Sequence, residues 1–206
     1  MRIASVCIAA SFAALTFSPQ ARAQASTMTS GNGGAAYSAM EKAQDPTQQM
    51  LSRFLEASRL ALTANQQLLA ALGNEQEAGA MAERARQLDP RMTRKDVEDT
   101  FEAQLRGMAA SNKALAGGAQ ANAAQLSGGL AVMAQALAEY NAMLADLPDA
   151  RNAMQIVRKA SKTDTPAFFM LRALPGSTAS LKTEIRALAE ASRKAGATVP
   201  ETLLSN

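Results

Sequence analysis

The chain has 206 residues, no histidine, no tryptophan and one cysteine, and a formal charge of +3 from 21 basic and 18 acidic side chains. Without histidine there is no Ser-His-Asp triad and no imidazole metal or haem ligand. With Cys7 as the sole thiol, an intramolecular disulfide framework is excluded as well.

Residues 1–23 have the three parts of a secretory signal peptide. Arg2 supplies the positive start, residues 3–17 form an uncharged apolar run, and Ser18-Pro19-Gln20 breaks it. Ala21-Arg22-Ala23 then gives the small–x–small pattern that a signal peptidase requires, which predicts cleavage near Ala23 with Ala25 as the alternative. The apolar run of 15 residues is shorter than the ~20 that a bilayer span needs. Cys7 lies inside that run rather than after it, so a lipoprotein anchor is not expected. The mature chain is predicted to be periplasmic or secreted, with no transmembrane helix left after cleavage. It has no cysteine and stands close to neutral, with 19 basic residues against 18 acidic ones.

Residues 24–44, rich in Ser, Thr, Gly, Ala and Gln, are read as a flexible leader, because such a composition buries too little apolar surface to offset its ordering entropy. The helical domain is expected over 45–196. Asp45 serves as N-cap and Pro46 as the first helical residue. The stripe Leu51, Leu55, Ser58, Leu62, Asn65, Leu69 and Leu72 repeats at alternating intervals of four and three, the rhythm of helices packed lengthwise. Phe54, Ala61 and Leu68 widen it, and Gly73 is the expected terminator.

Asn74 is placed to cap a shorter helix running to Leu88. Thr93, with Asp96 three residues on, opens the next as a capping box, with Val97, Phe101, Leu105, Met108, Asn112 and Leu115 on its core face. At Gly117-Gly118 the chain is expected to reverse, since glycine in a helix interior costs ~1 kcal/mol. The stripe Leu126, Leu130, Met133, Leu137, Tyr140, Leu144 and Leu147 follows, and Pro148 stops it.

Beyond it three shorter helices are expected: one over 149–160, one from Thr165-Pro166 that Pro175-Gly176 closes, and one over 178–195 that buries Leu181, Ile185, Leu188 and Ala189. Residues 197–206 are read as a loose tail. No segment alternates like a strand. The predicted class is all-α, an antiparallel bundle of three to four long helices with shorter C-terminal ones.

The predicted function is non-enzymatic, and no cofactor or metal is expected. The core stripes hold no acid that could build a carboxylate metal site, and Glu75, Glu77 and Glu83 sit where a helix start favours negative charge. The basic set Arg84, Arg86, Arg91, Arg94 and Lys95 is interleaved with acids, which does not suit nucleic acid. The methionines are spread as core fillers would be. Residues 62–66 resemble the Leu-Thr-x-x-Gln motif of a family of periplasmic chaperones, and residues 87–90 resemble the end of a tetratricopeptide repeat. Each match is short and occurs once, so neither assigns a family.

The segment holding Phe168, Phe169, Met170, Leu171 and Leu174 is the candidate partner or ligand surface. Asn65 and Asn112 interrupt apolar stripes and are candidates for fixing helix register. These features together predict an exported interaction, scaffold or chaperone-like component of the bacterial envelope, partnered by another envelope protein. The alternative is a carrier holding a small hydrophobic ligand between its helices.

Overall fold

The computed structural model describes residues 46–152 and 165–205. The segments read as signal peptide and leader, the expected Asp45 cap and most of the helix expected over 149–160 lie outside the described residues. Among the described residues the protein is all-α, with no strand. None of these helices is long and apolar enough to cross a membrane.

Helix α1, Pro46–Ala71, begins at its proline and buries the whole predicted stripe, Ser58 and Asn65 included. It ends in a Schellman motif. Gly73 takes a φ of 74°, its N–H reaches the Ala70 carbonyl at 3.0 Å, and the Asn74 N–H reaches that of Leu69 at 2.9 Å. Asn74 then caps α2, Glu75–Arg86, accepting from the Glu77 N–H. Helix α3, Arg94–Ala116, opens with the full capping box between Thr93 and Asp96. The Thr93 N–H and hydroxyl each donate to the Asp96 carboxylate at 2.7 Å, which holds its carboxyl below the ordinary value.

A second Schellman motif closes α3 at Gly118, which has a φ of 76°. Asn122 caps α4, Ala123–Ala145, and its N–H donates to the Ala71 carbonyl at the end of α1. The chain therefore reverses at 117–122, as expected. The helix restarts over 147–152, with Pro148 in its first turn.

The C-terminal region departs from expectation. Two short helices were predicted there, but Pro166–Lys194 is one helix of 29 residues, α5, with Pro175 inside it. A proline removes the N–H that would bond the carbonyl four residues back, here that of Leu171. The Arg151 guanidinium donates to that same carbonyl at 3.4 Å, so the acceptor that Pro175 orphans is not left bare. Residues 197–205 are not loose either. Glu201–Leu203 forms a 3-10 turn, Ala197 and Leu203 are buried, and the Thr198 N–H donates to the Ser127 hydroxyl at 2.8 Å.

Helix α1 is the hub and packs most extensively on α4, then on α2 and α3. The α1–α4 pair is antiparallel, with Arg53 on Asp146, Ser58 on Tyr140 and Leu68 on Gly129. Helices α3 and α5 run in the same direction, Arg94 lying level with Phe169 and Asn112 with Glu184. Although consecutive, α3 and α4 scarcely touch through their backbones, since the reversal carries the chain across the core rather than to a neighbour. The expected antiparallel arrangement holds for α1 and α4 but not for α3 and α5, because heptad spacing sets which face a helix buries and not which helix it meets.

Candidate functional site

Helix α5 divides the five candidate residues. Met170, Leu171 and Leu174 are buried and belong to the common core. Phe168 and Phe169 stand on the other side of the first turn, half-buried against that core. Thr165 caps the turn by accepting from the Phe168 N–H at 3.3 Å, and Pro166 pre-sets its geometry. The Arg94 guanidinium lies over the Phe169 ring, 4.6 Å from its centroid, so a cation–π contact joins the starts of α3 and α5.

The polar interruptions each donate a hydrogen bond to a neighbouring helix, while Asn65 Oδ1 and Asn112 Oδ1 have no partner. Asn65 donates to the Gln104 carbonyl at 2.9 Å, and Gly107 faces it so closely that a Cβ there would lie 2.8 Å from its Nδ2. The Tyr140 hydroxyl donates to Gln104 Oε1 at 3.0 Å and meets the Ser58 hydroxyl at 3.0 Å. Burial away from water pushes the Tyr140 phenol up to about 12, against the pull of those two hydrogen bonds. Asn112 is only partly buried and donates to the Glu184 carboxylate at 2.9 Å. Reading α3 by its apolar residues alone placed Leu105 and Asn112 on the core face. The structure puts Gln104 and Ser111 there instead, one position earlier in each turn.

Two open clefts flank α3. One of about 570 Å³ lies against α2 and is lined by Glu77, Met81, Arg84, Asp99, Glu102 and Arg106, among others. The other, about 460 Å³, lies against α5 beside Leu105, Ala109, Ser180 and Thr183. Charges of both signs line the first, and neither is an enclosed apolar chamber. Most of the basic set of residues 84–95 is engaged within the chain, Arg94 on the Phe169 ring among them. Arg84 donates to the Asp96 carbonyl and the Thr100 hydroxyl, Arg86 pairs with Glu83 at 3.1 Å, and Lys95 pairs with Asp99 at 2.8 Å.

One surface escaped the sequence reading. On α4, Ala124, Gly128, Ala131, Gln135, Ala138, Ala142 and Ala145 are all exposed. They repeat the four–three spacing of the buried stripe on the opposite side, and no charged residue interrupts them. The pattern is visible in the sequence, but small residues are helix formers anywhere, and only exposure separates a bare face from a second core face.

Comparisons with protein-family models, with curated proteins and with solved structures found no match to the chain.

Proposed function

We propose that the chain is an exported, non-enzymatic interaction component of the bacterial envelope, in which the four long helices form one bundle that offers a helical face to another envelope protein. The uncharged outer face of α4 carries this reading. Seven exposed positions at heptad spacing run the length of a 23-residue helix. Small side chains at such spacing let a second helix approach closely along the whole length. The half-buried pair Phe168 and Phe169 adds aromatic area of the kind that anchors partners. The N-terminal signal features support export.

Crosslinking and pull-down of the tagged protein from its native envelope, with mass spectrometry of proteins and lipids together, tests the reading. The wild type should capture one reproducible protein. Ala131→Glu with Ala138→Glu should lose it at an unchanged melting temperature, and Phe168→Ser with Phe169→Ser should weaken capture. Capture indifferent to the α4 charges removes that face from the proposal. A co-purifying hydrophobe with no protein partner replaces the interaction reading with the carrier.

A further inference from the structure

Helix α3 is held differently from the other long helices. Its buried face carries Val97, Phe101 and Met108 as its only large apolar side chains, and the remaining buried positions are Thr100, Ala103, Gln104, Gly107 and Ser111. By contrast, α1 buries Met50, Leu51, Phe54, Leu55, Leu62, Leu68 and Leu69. Apart from the Phe101 ring, which meets Phe54 of α1 at 5.0 Å and Tyr140 of α4 at 6.3 Å, a polar contact ties α3 to each neighbour. Arg84 reaches it from α2, Asn65 from α1, Tyr140 from α4, and Asn112 reaches out to Glu184 on α5.

Those ties are exchangeable with water at small net cost, whereas buried apolar area is not. They are also incomplete: Asn65 Oδ1, Gln104 Nε2 and Asn112 Oδ1 have no partner. Rotating the amide of Gln104 changes which of its atoms is orphaned, not whether one is. Asn65 cannot be rotated, because its Nδ2 is the donor to the Gln104 carbonyl. An opening that wets these groups recovers their solvation.

Two further features lower the barrier to separation. Clefts lie along both flanks of α3, against α2 and against α5. Both of its ends are closed by its own residues, through the Thr93–Asp96 capping box and the Gly118 Schellman motif, so leaving the core strips neither cap. We infer that α3 is the release point of the bundle, undocking as a unit from α1 and α5 in an opening that precedes global unfolding and leaves α1 packed on α4. This opening is a property of the chain alone and holds whether or not a partner exists.

Native-state hydrogen exchange followed by mass spectrometry of peptides, in a series of urea concentrations below the transition, is the test. Amides of α3 should exchange at least tenfold faster than those of α1 and α4, with a smaller urea dependence, because a sub-global opening exposes less surface. An undocked helix of this length is only marginally stable in water, so its amides do exchange. Asn65→Leu together with Gln104→Met replaces the half-satisfied pair by apolar groups of similar shape, and should slow α3 exchange by roughly tenfold or more while moving α1 and α4 little. A single exchange free energy and urea slope shared by all three helices overturns the inference. So does a folded double variant whose α3 exchange is not slowed, and if that variant fails to fold, the wild-type series decides alone.

Discussion

The adjacent glycines of α4 should respond to the same substitution with opposite signs. Replacing glycine by alanine in a helix interior is worth ~1 kcal/mol through lost backbone entropy in the unfolded chain. At Gly128 nothing lies within 4 Å of the new methyl, so Gly128→Ala should gain most of that ~1 kcal/mol. At Gly129 the methyl would sit 2.8 Å from Leu68 Cγ, 3.1 Å from its Cδ2 and 3.3 Å from its backbone nitrogen. Leu68 is fully buried, and the nearest atom is its branch point rather than a free end, so the two helices must part. Overpacking of this kind costs ~1–3 kcal/mol, which outweighs the propensity gain and leaves Gly129→Ala about 1 kcal/mol below wild type. The two variants then differ by about 2 kcal/mol, or roughly 4–8 °C in melting temperature for a domain of this size. Thermal and urea unfolding monitored by circular dichroism reads both. Equal stability of the two variants would refute the argument that α1 and α4 meet at closest approach through Gly129.

Two other outcomes follow from the buried chemistry. The Tyr140 phenol titrates higher in the folded protein than its ordinary value of 10.0, so its neutral form is the one that folding favours. Its contribution is complete below pH 10 and is lost between about 10 and 12, a fall of about 2–3 kcal/mol. Tyr140→Phe should flatten the urea-derived stability over that window and cost ~1–2 kcal/mol at neutral pH by stripping Ser58 and Gln104 of a partner. At the α5 proline, Pro175→Ala restores the missing N–H and should stabilise by ~1–3 kcal/mol. Arg151→Met should cost ~1 kcal/mol beside Pro175 and almost nothing beside alanine, and a double-mutant cycle that shows no coupling would dissociate Arg151 from the Leu171 carbonyl.

The features readable in the sequence were those decided within a few residues. Asn74, Thr93 with Asp96, Thr165 with Pro166, Gly73 and the reversal at Gly117-Gly118 all act on backbone groups one turn away, and each appears in the structure where its chemistry places it. The stripe of α1 was equally plain, since leucines mark five of its seven positions. What stayed hidden depended on distant partners. Pro175 reads as a stop until Arg151 is brought to the Leu171 carbonyl. Gln104 reads as surface until Tyr140 and Asn65 close around it. At the candidate segment, composition pointed to five apolar residues, yet helix phase alone separates the core trio Met170, Leu171 and Leu174 from the half-exposed Phe168 and Phe169. The outer face of α4 has the opposite history, because its spacing was on view throughout and only exposure gives it meaning.

The central place of α1 bears on when the molecule can fold. This helix is synthesised ahead of all the others described, yet its ties to Tyr140 and Asp146 span 82 and 93 residues. Closing so long a loop is entropically costly before any contact rewards it, which slows folding relative to a bundle built on local contacts alone. Until the ribosome has passed residue 146, α1 can pack only on α2 and α3, and the side that meets Tyr140 and Asp146 has nothing to lie against. A hub encoded at the front but completed from the back delays the packed core until most of the chain has been made.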